Sequence, residues 1–142
     1  MSKDAYIELN CGRYSDKISE FIELMYLSGW KHFDKNGNTT LVTLGSNDYE
    51  WTEIKINVED LKLLIEKKQS EHEKICVTFF YENTDVGITL IANNTSEIML
   101  NLNINRRTMV NDITDIGWYF STIIVELKKR ECFIDSIKFE EY

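Results

Sequence analysis

Residues 74–105, KICVTFFYENTDVGITLIANNTSEIMLNLNIN, decide the fold of this 142-residue chain. Apolar side chains recur along three runs of this stretch, and two polar turns, YENTD and NNTS, separate the runs. Alternation of apolar and polar residues is typical of strands that bury one face, and turns this short join antiparallel neighbours. The stretch therefore predicts three consecutive strands of an antiparallel sheet.

Further strands are predicted on both sides of this unit. WKHFD and TTLVTL flank a KNGN turn with Asn36-Gly37 at its centre, which predicts a hairpin, and FIDSIKFEE predicts a final strand. YIELN (6–10) and EIKIN (53–57) alternate in the same way as NLNIN (101–105). Each of these three segments ends in Asn and precedes a helical pattern, so an internal βα repeat is one interpretation of them. The asparagines are Asn10, Asn57 and Asn105.

Three amphipathic helices are predicted, each after a strand. The first runs from about Ser15, as N-cap, to Ser28, with Gly29 positioned to stop it; the second begins at the N-cap Asn57; the third begins at about Asp112. The expected buried faces are Ile18, Phe21, Ile22 and Met25 in the first helix, Leu61, Leu64 and Ile65 in the second, and Ile113, Ile116, Phe120, Ile123, Ile124 and Leu127 in the third.

The whole chain, 1–142, is expected to form a single α+β domain. It contains no proline and no linker-like stretch that would mark a domain boundary. The predicted architecture is a mixed, mostly antiparallel sheet of about seven or eight strands, with about three amphipathic helices covering one face.

Composition excludes several classes of function. A net charge of −8 argues against nucleic acid as a direct ligand and favours a basic partner. No apolar run is long enough to span a membrane, and the first residues do not form a secretory signal, so we expect a cytoplasmic protein. Cys11, Cys76 and Cys132 are widely spaced, which fits a reducing compartment and neither a disulfide framework nor a zinc site.

No catalytic or metal-binding set is predicted. His72 lies in a polar, solvated stretch, whereas His32 alternates with Trp30 and Asp34 on one predicted strand. That pattern fits either a half-exposed strand residue or an imidazole oriented by an acid, but it lacks a nucleophile. We therefore expect no enzyme activity, no metal and no cofactor.

The segment SNDYEWTE, residues 46–53, is the strongest candidate site and is called the acidic–aromatic segment below. Its near-alternation fits a strand edge with Trp51 packed inward, because aromatic residues favour strands. It also fits an interface, because Tyr and Trp are frequent binding hot spots and carboxylates attract a cationic partner. The predicted partner-binding residues are Asp48, Tyr49, Glu50, Trp51 and Glu53, joined by Glu82 and Asp85 where the YENTD turn lies nearby.

An alternative function is a small-ligand-binding or regulatory domain. Arg13 lies in CGRYS, after the first strand, and Arg106 and Arg107 lie in INRRT, after the third strand of the repeat pattern. Helix N-termini are favourable places for anions, so these arginines would anchor an anionic ligand near the strand-to-helix loops. The glycine spacing of a phosphate-binding loop is absent.

The chain resembles the immunity proteins that bacteria make against their own polymorphic or contact-dependent growth-inhibition toxins. The resemblance lies in its small, acidic, cysteine-poor α+β character, its content of Asn, Ile and Lys, the SGW after the first helix, the SNDYEWTE segment and the lack of a catalytic set. It implies one-to-one binding to a toxin domain, often a basic nuclease. Carboxylates would then occupy positions that otherwise meet phosphate.

Overall fold

The computed structural model describes residues 4–45 and 50–142, which form an eight-stranded sheet with helices on one face. The strands are β1 (Ala5–Asn10), β2 (Trp30–Lys31), β3 (Thr39–Val42), β4 (Trp51–Ile54), β5 (Ile75–Tyr81), β6 (Gly87–Asn94), β7 (Glu97–Ile104) and β8 (Ser136–Glu141). The helices are α1 (Ile18–Leu27), α2 (Val58–Ser70) and α3, which comprises α-helical Ile116–Tyr119, π-helical Phe120–Val125 and α-helical Glu126–Lys129. A short 3₁₀ turn, Val110–Asp112, precedes α3.

The sheet is open and its order is β4-β3-β5-β6-β7-β1-β8, with β2 also paired to β5. Each strand pairing among the described residues is antiparallel. Strands β5, β6 and β7 are consecutive neighbours, as the 74–105 pattern predicts. The predicted α+β fold class is confirmed.

The predicted hairpin around Asn36-Gly37 is wrong in its strand pairing. The turn itself forms, and Oδ1 of Asp34 accepts the backbone N–H groups of Asn36 and Asn38 at 2.8 and 3.0 Å. Strands β2 and β3, however, both pair with β5, through Lys31–Phe80 and Leu41–Val77 respectively. Both strands are antiparallel to β5 and lie on the same side of it. They therefore run in the same direction, one after the other along β5, and do not pair with each other as a hairpin.

The core lies between the sheet and the helices. Its strand residues come from alternate positions, so that each strand has one face in the core and one on the open side of the sheet. The core-facing strand residues include Ile7, Leu9, Val77, Phe79, Ile88, Leu90, Leu100 and Leu102, and the helices contribute Phe21, Met25, Leu61, Ile65, Tyr119, Ile123 and Leu127. The opposite side, called the open face below, carries no described helix.

Helices α1 and α2 largely follow the sequence prediction. The four residues predicted for the buried face of α1 are buried, and Gly29 ends the helix with a positive φ of 98°. The N-cap of α1 is Lys17 and not Ser15, because Ser15 Oγ accepts the N–H of Lys17 in the preceding turn. In α2, the side chain of Asn57 accepts the N–H of Asp60 at 2.7 Å, as an N-cap should.

Helix α3 differs from the prediction in its start and its buried face. It begins after Asp115, whose Oδ1 accepts the N–H of Trp118, so Ile113 precedes the helix and is exposed. Phe120 is exposed as well. The indole N–H of Trp30 donates to Thr122 O, inside the π-helical turn. A π turn adds one residue to the helix, so the residues on either side of it do not follow one constant 3.6-residue period. The prediction assumed a constant period and therefore placed Phe120, the first residue of the π turn, on the buried face.

The three asparagines of the repeat pattern have different roles. Asn10 Oδ1 accepts the N–H of Gly12, Asn57 caps α2, and Asn105 adopts a positive φ of 46°. Their similar spacing therefore does not correspond to a shared local structure.

Candidate functional site

The described part of the acidic–aromatic segment lies at the start of β4, the second strand of the β3–β4 hairpin. The first registered pair of this hairpin joins Val42 to Trp51, and the last joins Thr39 to Ile54. Residues 46–49 lie outside the described residues, so the structure does not place the predicted Asp48 and Tyr49. Of the described part of the segment, residues 51–53 belong to the edge strand β4 and Glu50 immediately precedes it.

The base of this hairpin is attached to α2 and to the residues beyond its C-terminus. Lys68 is buried, and its Nζ donates to Val42 O at 2.7 Å and to Thr43 O at 3.4 Å. Three residues beyond α2, Glu73 Oε1 accepts the N–H of Gly45 at 2.9 Å. Burial lowers the pKa of the Lys68 ammonium, and the nearby Glu73 carboxylate partly opposes that effect. The two carbonyl groups replace the hydration that this ammonium loses, and they fix the start of the loop.

Trp51 lies on the open face of the sheet. Strand alternation directs Trp51 and Glu53 to the open face and directs Ile54 to the core, against which Ile54 packs. Trp51 remains 47% exposed. The prediction of a strand edge is confirmed, whereas the inward packing of Trp51 is wrong, because no described helix covers this face.

A shallow depression of about 430 Å³ adjoins Trp51 on the open face. Its lining residues are Thr40, Trp51, Thr78, Phe80, Thr89, Ile91, Asn101, Asn103 and Ile104. The lining combines apolar side chains with hydroxyl and amide groups, which suits contact with a protein surface of mixed polarity. This lining was not predicted from the sequence. Its signal was the run of Thr and Asn at the alternate positions of the central strands.

Two carboxylates are close to Trp51 in sequence. Glu50 and Glu53 are both exposed, and Glu53 is registered opposite Thr40. Lys55 is directed elsewhere, because its Nζ donates to Asn36 O at 2.9 Å. The described part of the segment therefore presents one large aromatic side chain between two acids.

Glu82 and Asp85 do not join this surface. Trp51 is opposite Val42 and so is level with the start of β5, whereas Glu82 comes after the end of that strand. At about 3.3 Å per residue, this separates Trp51 from Glu82 by about 20 Å along the strand direction. Glu82 and Asp85 instead line a second depression of about 630 Å³, together with Lys31 and Lys35.

The three arginines of the alternative function lie at two different ends of the sheet. β1 and β7 are antiparallel neighbours, so the loop after β1, with Arg13, lies at the opposite end from the loop after β7, with Arg106 and Arg107. Arg13 Nε lies 3.1 Å from Asp135 Oδ1. The guanidinium of Arg107 stacks 4.9 Å from the centre of the Trp118 ring. These arginines do not form a common anion site.

His32 is a structural residue. It is buried, its Nε2 lies 2.8 Å from Ile56 O, and its Nδ1 lies 3.0 Å from the hydroxyl of Tyr26. A carbonyl only accepts, so Nε2 carries the proton and Nδ1 accepts from the tyrosine. Burial lowers the pKa of His32, although the bond to Ile56 partly opposes this. The prediction of a half-exposed or acid-oriented imidazole is wrong, since Asp34 is occupied by its own turn.

The cysteines are buried thiols. The neighbouring Cys132 thiol together with burial raises the pKa of Cys11. Within residues 4–45 and 50–142, no group of three or more His, Cys, Asp or Glu side chains is arranged to hold a metal ion. Among the same residues, none of the helices has the length and apolar character needed to cross a bilayer.

No protein-family model matches this chain, and comparisons with curated proteins and with solved structures gave no match either. Its function is therefore inferred from its own surface.

Proposed function

We propose that this chain is an inhibitory protein-binding module that neutralises a cognate toxin domain by one-to-one binding. The observation that supports this most is the half-exposed Trp51, held in a strand between two exposed carboxylates, Glu50 and Glu53. A rigid aromatic group at the centre and charge around it are the usual features of a protein-binding hot spot.

The charge of the chain suggests the kind of partner. A net charge of −8 attracts basic proteins and accelerates their encounter. A nuclease that binds phosphate through Lys and Arg presents a basic surface of this kind. Glu50 and Glu53 would occupy the positions of phosphate groups on such an enzyme, and Trp51 would exclude water from the contact. The same proposal implies a cytoplasmic location, where the toxin acts.

The attachment of the hairpin to α2 also supports this proposal. Lys68 and Glu73 bind the backbone of the loop on one side, and β3 pairs with β4 on the other. A preorganised binding segment loses less conformational entropy on association, which improves affinity without further contacts.

The first experiment identifies the partner and then measures inhibition. The tagged chain is used to capture proteins from a lysate of its source cells at low salt, and a retained basic protein is produced in a host in which its toxicity is measured. We expect co-expression of the chain to restore growth. A captured protein whose toxicity the chain does not reduce would contradict the proposal.

The second experiment assigns the surface. Trp51→Ala is expected to weaken binding of that toxin about 30-fold or more, as the loss of a hot-spot aromatic does. Leu63→Ala is the matched control, because Leu63 is a large exposed side chain on α2, away from the open face. The double variant Glu50→Gln/Glu53→Gln should slow association and reduce its salt dependence. Equal affinities for Trp51→Ala and Leu63→Ala would show that the toxin binds elsewhere.

A further inference from the structure

Strand β8 forms one edge of the sheet, and no described strand pairs with its outer side. It is registered with β1 along its whole length, from Ser136 to Glu141, without a bulge. The four residues 136–139 are all exposed. Natural proteins usually protect an edge strand with charged side chains, a bulge, a proline or a covering loop, because such an edge readily pairs with another strand. β8 has no proline and no bulge between Ser136 and Glu141, but it does carry charged side chains.

The backbone groups on this outer side can be assigned. The N–H of Tyr142 donates to Asp4 O at 2.8 Å, so in the β1–β8 register the even-numbered residues of β8 direct their backbone groups to β1. Backbone direction alternates along a strand. The N–H and C=O groups of Ile137, Phe139 and Glu141 therefore point outward, away from β1.

The side chains at this edge are also suited to a contact. Ile137 and Phe139 lie opposite Leu9 and Ile7 on the helix-covered face, yet they remain 41% and 36% exposed. They extend the apolar core to the rim of the sheet.

On the open face, β8 carries one charge of each sign, Lys138 and Glu140, which form an ion pair within the chain. This alternation of sign two residues apart determines which antiparallel partner the edge would accept.

We propose that β8 pairs with β8 of a second copy of this chain, antiparallel and about a two-fold axis at Phe139. In this register Phe139 lies opposite Phe139 of the second copy, and the three outward residues of each strand form about six backbone hydrogen bonds. Lys138 of each copy then lies opposite Glu140 of the other copy. These are non-hydrogen-bonded pairs, at which side chains approach closely.

The charges select this register among those that keep the same backbone groups bonded. A register shift of two residues in one direction places Lys138 opposite Lys138 of the second copy. A shift of two residues in the other direction places Glu140 opposite Glu140. Like charges directly opposite are destabilising. The edge of β8 is thus complementary to itself in one register.

The dimer leaves the proposed toxin-binding surface free. β4 and β8 are the two opposite edges of the sheet, so joining two copies through β8 places their β4 strands at the two far ends of the assembly. The dimer and the inhibitory function are therefore independent proposals.

The mass of the purified full chain, measured by sedimentation velocity from about 1 µM to about 1 mM, tests this proposal. The range is wide because a contact of one short strand is small and the two chains repel each other; about 0.15 M salt reduces that repulsion. We expect a concentration-dependent conversion of monomer to dimer. A monomer throughout this range would overturn the proposal.

Charge reversals test the register. Lys138→Glu alone and Glu140→Lys alone each place like charges opposite each other, and each should weaken the dimer about tenfold or more. Mixed together, the two variants should form a heterodimer with the wild-type affinity, because opposite charges then face each other at both positions. Lys62→Glu, on the exposed side of α2, is the control for net charge.

Circular dichroism confirms that each variant is folded. If Lys138→Glu weakens the dimer no more than Lys62→Glu does, or if mixing the two single variants restores nothing, the β8 register is wrong.

Discussion

The two faces of the sheet come from the same strands but use their residues differently. On the helix-covered face, β6 places Ile88, Leu90 and Ala92, all buried in the core. On the open face the same strand places Thr89 and Ile91, which line the depression beside Trp51. The helix-covered face supplies apolar area for folding. The open face supplies hydroxyl and amide groups next to β-branched side chains.

The strand register extends this difference across the sheet. Thr78 lies opposite Thr89, and Thr89 lies opposite Asn101. Thr78 Oγ1 also donates to Thr40 O at 3.3 Å. Threonine suits a strand by its branching at Cβ, and here Thr78 and Thr89 are both buried. Thr89 Oγ1 donates to Asn103 Oδ1 at 2.9 Å. The hydroxyl groups at the centre of the open face are therefore bonded within the sheet, and Trp51 beside them remains half-exposed.

Phe79→Ala should give the largest effect, because it removes a fully buried ring from the helix-covered face. The substitution leaves a cavity next to Tyr26, and the expected loss is about 3–5 kcal/mol of unfolding free energy. Urea denaturation followed by circular dichroism measures it. A loss below about 1 kcal/mol would mean that the two faces do not differ as described.

His32→Gln should have an intermediate effect of about 1–3 kcal/mol, because one shorter amide cannot replace both bonds, to Tyr26 and to Ile56. The substitution should also change the pH dependence of stability. In the wild type, burial lowers the pKa of the folded imidazole below its ordinary value of 6.5. The unfolded chain then binds a proton that the folded chain resists, so stability falls as the pH decreases below about 6.5.

The variant lacks this component. Urea denaturation at about pH 7.5 and about pH 5.5 gives the change in unfolding free energy with pH for each protein. We expect the wild type to lose more stability than His32→Gln at the lower pH. The same change in both proteins would mean that His32 titrates alike in the folded and unfolded states.

Trp51→Ala should have the smallest effect on folding, about 1 kcal/mol or less, although it removes a larger ring than Phe79→Ala does. About half of the Trp51 side chain is exposed, and it lies on an edge strand. The same urea denaturation is the measurement. A loss above about 2 kcal/mol would assign Trp51 to the folding core and would remove the main support for the proposed binding surface.

Local patterns predicted most of the fold. Period-two alternation identified β5, β6 and β7, and capping residues identified the start of α2 at Asn57. These features depend on residues that are close in sequence. The pairing of β2 and β3 with β5 could not be predicted in this way, because it depends on which distant strand offers an unpaired edge.

The candidate site was predicted only in part. The composition of residues 46–53 identified Trp51 and its acids, and the structure places Trp51 and Glu53 on an edge strand. The burial of His32 was missed, since its partners, Tyr26 and Ile56, are not neighbours in the strand pattern. The role of Lys68 was missed because a lysine near the end of a helix usually lies in solvent and interacts with the helix dipole.

The position of β1 affects how the chain folds. β1 lies between β7 and β8, and its partners there are roughly 90 or more residues later in the chain. During synthesis, Ile7 and Leu9 therefore have no sheet to join until β7 has left the ribosome. Contacts of such high sequence separation slow folding and leave the apolar side chains of the early strand exposed for longer, whereas the β5–β6–β7 meander can form by local closure.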